Sequence, residues 1–159
     1  MAQSTRATTE LTAAGVPFTL HTYTYDPGAD SIGAAAAAAL GVEPGRVFKT
    51  LMILADGKPA CAIAPSDGEV AMKRVAAALG VKAAAMMRPA EAERITGYKV
   101  GGISPFGQMR RVPVVIDERA LGWDAIFING GQRGLQVRLA GADAVAVLGA
   151  RVADIGAIG

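Results

Sequence analysis

The sequence predicts an α/β protein: one mixed sheet with helices around it, in a single domain covering residues 1–159. Three observations carry this. Strand-type and helix-type segments intermix along the chain without a regular βαβ rhythm. Glycine or proline marks most transitions between them. A chain of 159 residues, 52% hydrophobic and 19% charged, can fill a real core and is not the composition of a disordered polymer.

Taken in order, Thr5–Ala14 reads as a helix stopped by Gly15 and Pro17. Phe18–Tyr25 alternates, with Phe18 and Leu20 on one face and His21, Tyr23 and Tyr25 on the other, as in a half-buried strand. Asp26–Asp30 is a Pro/Gly loop. An Ala-rich helix follows, with Ser31 as its N-cap and Gly41 as its stop. Val47–Leu54 is apolar enough for a buried strand, and Asp56-Gly57 signals a hairpin into Ala60–Ala64. Val70–Leu79 looks helical up to Gly80. Pro89 suits the first position of another helix, with Glu91 and Glu93 near its positive end and Gly97 closing it. Val112–Asp117, Ala125–Ile128 and Leu135–Leu139 are expected strands, and Asp143–Leu148 the last helix.

Composition narrows the function. A net charge of +2 is too small for a protein that coats long nucleic acid, yet leaves room for a local patch meeting a few phosphates. One Cys and one His argue against a structural zinc site, and no metal or cofactor is expected. The lone Cys61 cannot form an internal disulfide. Met1–Glu10 lacks the apolar run of a signal peptide, and Ala34–Leu40 is too short to span a bilayer. A cytoplasmic protein without membrane contact is the expectation.

The densest unusual segment is Thr96-Gly97-Tyr98-Lys99-Val100-Gly101-Gly102-Ile103-Ser104-Pro105-Phe106-Gly107. Glycines let backbone approach a ligand closely, and successive N–H groups can cradle an anion or a developing oxyanion. The same composition also suits a plain turn-rich connection. No strand runs into it and no Gly-Lys-Ser/Thr follows, so it is neither a Rossmann fingerprint nor a P-loop. Lys49 is a single charge within an apolar strand pattern. It either snorkels to the surface or aims a cation into a cleft. Asn129-Gly130-Gly131-Gln132-Arg133-Gly134 reads as a hairpin or bulge. Ser66 and Ser104 lie in no nucleophile elbow, His21 has no triad around it, and Cys61 belongs to an apolar strand. The pairs Lys73-Arg74 and Arg110-Arg111 suit either a solvated surface or a nucleic acid backbone.

Together these segments resemble the YbaK/EbsC family of aminoacyl-tRNA deacylases, relatives of the editing domain of bacterial prolyl-tRNA synthetases. The likeness runs through His21-Thr22-Tyr23, Val47-Phe48-Lys49-Thr50-Leu51, Thr96-Gly97-Tyr98 with Gly101-Gly102-Ile103-Ser104-Pro105, and Gly130-Gly131 with Arg133-Gly134-Leu135. It implies a barrel-like mixed sheet of six or seven strands. It implies hydrolysis of the ester that joins an amino acid to the acceptor end of tRNA, with Cys-tRNA(Pro) as substrate and prolyl-tRNA synthetase as a partner. Lys49 takes the place of the family lysine, Tyr23 of the strand tyrosine and Gly101 of the loop glycine. Gly101, Gly102, Ile103 and Ser104 would position the carbonyl and stabilise the oxyanion. Tyr23, Pro105, Asn129, Gly130 and Gln136 would line the substrate site. For a cysteinyl ester the substrate's own thiol can attack, so no protein nucleophile is required. Some cysteinyl-specific members carry Ser where this chain has Asn129, and Asp where it has Gln136. A deacylase for another small aminoacyl-tRNA, such as Ala-tRNA(Pro), and a noncatalytic module that binds tRNA or prolyl-tRNA synthetase are the alternative readings.

Overall fold

The computed structural model describes residues 4–28 and 32–157. The chain runs α1 (Arg6–Ala14), β1 (Thr19–Thr22), α2 (Ile32–Leu40), a 3-10 turn (Pro44–Arg46), β2 (Val47–Ala55), β3 (Lys58–Pro65), α3 (Met72–Leu79) and β4 (Ala84–Met86). It continues with α4 (Pro89–Thr96), β5 (Val114–Asp117), a second 3-10 turn (Glu118–Leu121), β6 (Ile126–Asn129), β7 (Leu135–Leu139), α5 (Gly141–Leu148) and β8 (Arg151–Ala153).

The expected mixed sheet is present, with eight strands among the described residues rather than six or seven. The path is β1-β7-β6-β2-β3-β5-β8, and β4 joins separately on β2. The pairs β1–β7, β7–β6, β2–β3 and β2–β4 are antiparallel, while β6–β2, β3–β5 and β5–β8 are parallel. The two unexpected strands, β4 and β8, are three residues each, too short for any alternation to register.

Local chemistry explains most boundaries. Thr5 and Thr8 exchange side-chain and backbone hydrogen bonds in a capping box that starts α1. The first strand is shorter than its pattern suggests: past Thr22 the chain leaves the ladder, and the Tyr23 N–H donates to the Gly134 carbonyl instead. The fifth begins at Val114, after Pro113, which has no N–H to give a ladder. α3 starts at Met72 because Val70 bridges to Gly156. The proposed N-cap Ser31 lies outside the described residues.

Both faces of the sheet are covered. Phe48, Met52, Cys61, Ile63, Ile116, Ile126, Ile128 and Val137 form the larger core with Leu11 of α1 and Leu148 of α5. On the other face Ile53, Ala62, Ala64 and Val115 receive Val75 of α3. Ala36 and Ala37 of α2 meet Val47 and Phe127. Small side chains let α2 lie close to the sheet. At Gly33 a Cβ would come within 2.3 Å of the Ser66 Cβ, so that position tolerates only glycine without movement.

One consequence of this topology positions the candidate site. β3 pairs with β2 along its whole length, from Phe48 to Ala55. On the opposite edge, β6 reaches only Val47 and Phe48, and β4 begins only at Ile53. Between them, at Lys49–Met52, the sheet is split.

Candidate active site

A cavity of about 300 Å³ opens at this split. Ile32 and Gly33 of α2, residues 47–51 of β2, Val100, Gly101 and Ile103 of the glycine loop, Asn129 of β6 and Gln136 of β7 line it. The volume lies at the small end for ligand pockets, and a few polar groups sit among apolar walls, the usual make-up of a specific site.

Strand parity brings the polar side chains together. Asn129 and Gln136 face one another across β6 and β7. Lys49 lies on the α2 side of β2, with Val47 and Leu51. Its Nζ donates to the Gly68 carbonyl at 2.7 Å, which occupies one of three N–H bonds and leaves two for a ligand. The Val47 carbonyl accepts from Ser66 toward β3, whereas the Met52 carbonyl accepts from Met87 toward β4. The same parity turns the Thr50 backbone groups toward the split.

The glycine loop is held from several directions. The Val100 N–H donates to Glu93 Oε2 at 2.8 Å, and the Val100 carbonyl accepts from Arg133 Nε at 2.8 Å. Asn129 Nδ2 donates to the Gly101 carbonyl at 3.2 Å, while Asn129 Oδ1 accepts from the Gly131 and Gln132 N–H groups. Gly101 has φ +90°, and a Cβ there would lie 2.4 Å from the Tyr25 hydroxyl. Glycine is required on both counts. Among the described residues, the N–H groups of Gly101 and Ile103 have no hydrogen-bond acceptor.

Among the described residues, three buried polar atoms near the split also lack partners: Tyr23 Oη, Thr50 Oγ1 and Gln136 Oε1. Gln136 is only 4% exposed. Leaving such a group unsatisfied costs about 1–3 kcal/mol, so three together mark a place built for a ligand's polar atoms or for ordered water. Burial raises the Tyr23 phenol above its ordinary value of 10.0; the Gln136 amide opposes this, though the two do not reach hydrogen-bond geometry.

The residues singled out from sequence therefore separate. Lys49, Gly101, Ile103, Asn129 and Gln136 converge on the cavity. Tyr23 packs behind it, against Ala36, Ala37, Val47 and Phe127. Gly102 is buried on the far side of the loop, where a Cβ would meet the Arg133 N at 2.8 Å. Ser104 and Pro105 are buried outside the cavity lining. The Ser104 hydroxyl accepts from the Phe106 N–H at 3.2 Å, and its carbonyl accepts from Gln108 Nε2 at 3.0 Å, so both serve the turn itself. Gly130 donates to the Leu135 carbonyl and accepts from Thr5 Oγ1, closing the hairpin rather than lining the cavity. Thr50, Tyr25 and Arg133 received no role from the sequence. Of these, Thr50 carries the clearest signal in the sequence, a hydroxyl next to Lys49 in a strand of otherwise apolar residues.

No protein nucleophile with a base beside it enters the described lining. Cys61 is fully buried, and burial pushes its thiol up to about 12. Ser66 Oγ donates to the Pro44 carbonyl. His21 lies on β1 with Nε2 2.8 Å from Thr19 Oγ1 and its ring edge-on to Phe127. Among the described residues, no cluster of three or more His, Cys, Asp or Glu could hold a metal, and no helix is long and apolar enough to cross a membrane.

The split sheet, the glycine loop and Lys49 make this a small α/β domain whose candidate site sets two unpaired backbone N–H groups beside the Lys49, Asn129 and Gln136 side chains. The chain belongs to the aminoacyl-tRNA editing domain family, whose model matches residues 26–147. It is 38% identical over 105 residues to EbsC of Enterococcus faecalis, provisionally named a Cys-tRNA(Pro)/Cys-tRNA(Cys) deacylase; the match covers 65% of this chain and 64% of EbsC. It is 34% identical over 83 residues to a proline–tRNA ligase of Acidithiobacillus ferrooxidans, covering 52% of this chain and 15% of the ligase. The matched stretch thus spans just under two thirds of EbsC and a small part of the ligase. The fold also matches a solved structure provisionally described as a trans-editing enzyme for prolyl tRNA synthetase, with TM-score 0.81, 22% identity, and 99% and 100% of the two chains covered.

Proposed function

We propose that this protein is a trans-editing hydrolase that removes cysteine from mischarged Cys-tRNA(Pro). The observation that carries the reading is a cavity with donors on several sides and no base in its described lining: Lys49, the Gly101 and Ile103 N–H groups, and the Asn129 and Gln136 amides. Such a wall stabilises negative charge on a carbonyl oxygen. It does not generate a nucleophile, so the substrate supplies one.

The chemistry then runs in two steps. The cysteinyl sulfur attacks its own ester carbonyl, forming a C–S bond and a tetrahedral oxyanion that the glycine-loop N–H groups receive. The C–O bond to the ribose breaks, and the proton that left the thiol goes to the departing ribose hydroxyl. Water afterwards opens the cyclic thioester to free cysteine. Because sulfur and carbonyl share one small residue, the attack is intramolecular and much of its entropic cost is already met by covalent tethering. Lys49 holds the ribose hydroxyl or phosphate environment at the mouth, and Gln136 and Thr50 receive the amino acid's polar groups. Prolyl-tRNA synthetase is the proposed partner, since a chain of net charge +2 grips little of a tRNA alone. The cytoplasm, where charged tRNA is used, is the corresponding location.

The test is the deacylation rate on Cys-tRNA(Pro) and Ala-tRNA(Pro), measured side by side. Loss of cysteine with alanine spared is the expected result. Equal loss of both would mean that water attacks directly and would overturn the thiol-assisted reading. Binding of tRNA without hydrolysis of either ester would leave a noncatalytic module.

A further inference from the structure

A second groove, also of about 300 Å³, lies behind the glycine loop, between it and the turn that joins β6 to β7. Lys99, Gly102, Gln132 and Arg133 contribute to its walls. The loop and the turn meet there backbone to backbone: a Cβ at Gly102 would stand 2.8 Å from the Arg133 N and 2.9 Å from the Gln132 carbonyl carbon. Gly101 lines the cavity and Gly102 the groove. The two sites therefore open on adjacent residues, whose Cα atoms are about 3.8 Å apart.

The groove's charge is one-sided. Lys99 is exposed, and its ammonium has no hydrogen bond or ion pair among the described residues. Arg133 is anchored through Nε on the Val100 carbonyl, with its guanidinium 5.4 Å from the centre of the Tyr25 ring. That anchoring leaves its terminal nitrogens for another acceptor. No carboxylate is among the described groove residues, and Glu93 on the α4 side is engaged by the Val100 N–H.

We propose that this groove binds an RNA phosphate: the one on the 5′ side of the terminal adenosine, while the aminoacyl ester sits in the cavity. This rests on the proposed aminoacyl-tRNA substrate. The chemistry fits. A stacked, pre-oriented guanidinium and a free ammonium together take a phosphate well, and phosphate contacts fix register without reading sequence. The groove also adjoins the cavity through consecutive residues, Gly101 and Gly102, so the phosphate nearest the esterified ribose is the one it would take.

The experiment measures binding of the uncharged trinucleotide CCA and of adenosine, which lacks phosphate, to the wild type and to Lys99→Ala, Arg133→Ala and Arg133→Lys. No hydrolysis is needed. The expected result is that Lys99→Ala weakens CCA about two- to fivefold, the range of one exposed ion pair, and leaves adenosine unchanged. The slope of log K against log salt should fall by about 0.7. Arg133→Lys should keep more CCA affinity than Arg133→Ala. An unchanged CCA affinity and salt slope in Lys99→Ala, which removes only an exposed side chain, would overturn the proposal. So would failure of the wild type to prefer CCA over adenosine. Deacylation kinetics separate the two readings. Phosphate-dependent CCA binding without hydrolysis of any aminoacyl ester would sink the enzymatic reading alone. Hydrolysis with a KM that Lys99→Ala does not move would sink the groove alone.

Discussion

Gly101→Ala perturbs the glycine loop with a single methyl group. At φ +90° an L-residue is strained, by about 1–2 kcal/mol on the scale of left-handed backbone. The new Cβ would also lie 2.4 Å from the Tyr25 hydroxyl and 2.9 Å from its ring carbon, and such overpacking costs about 1–3 kcal/mol. The loop can relieve both by shifting, but the shift breaks the Asn129–Gly101 hydrogen bond of 3.2 Å and moves the Gly101 and Ile103 N–H groups. Displacing one oxyanion donor raises a barrier by about 2.7–4 kcal/mol, a loss of roughly 10²- to 10³-fold in rate. The expected outcome is therefore a folded protein with a modestly lowered Tm and a rate on Cys-tRNA(Pro) down by that factor. Single-turnover deacylation and a thermal melt measure the two. Adding Tyr25→Phe removes the nearest oxygen but keeps the ring carbon, so it should restore only part of the lost rate. A Gly101→Ala protein that deacylates at the wild-type rate would refute the assignment of this loop to the transition state.

Three further outcomes are expected. Lys49→Ala should abolish most deacylation while stability changes by no more than about 1.5 kcal/mol, since only the bond to the Gly68 carbonyl is lost; turnover and melting curves check both. Gln136→Leu should slow deacylation yet hold or raise the Tm, because it removes a buried oxygen that has no partner; a lowered Tm with unchanged kinetics would make Gln136 purely structural. Cys61 bears on pH. Its thiol is raised from 9.0 to about 12 and the Tyr98 phenol from 10.0 to about 12, both chiefly by burial. The unfolded chain loses these protons first, so their stabilisation is full below about pH 9 and is lost as pH rises toward 12. The three-unit gap at Cys61 corresponds to about 4 kcal/mol, and denaturant titrations from pH 8 to 11 should give a flatter profile for Cys61→Ala.

Much of the fold is legible in the sequence because its long elements are strongly patterned. β2 is nine residues with few polar interruptions, and Gly15, Gly80 and Gly97 each end a helix in the left-handed conformation where a stop is expected. β4 and β8 are not legible, because each is held by a neighbouring strand rather than by its own alternation. The site is legible in part. Lys49 and Gly101 stand out as a charge in an apolar strand and a glycine in a dense cluster. Ser104 looks equally functional in one dimension, and only folding shows its hydroxyl turned onto the Phe106 N–H. The cavity itself cannot be read from the chain. It exists because β6 and β4 share one edge of β2 without meeting, which depends on contacts between residues 47 and 127 and between 53 and 86.

That shared edge has a consequence for how such a site can change over time. Much of its wall is apolar, drawn from α2, β2 and the glycine loop. Two of its polar side chains, Asn129 and Gln136, are directly opposed across two strands. Each sets the space and polarity the other meets, so the pair is a two-letter dial on a fixed scaffold. Under the proposed function, a new preference for the bound group would be reached by exchanging both letters together, while the strands, the glycine loop and Lys49 stay as they are.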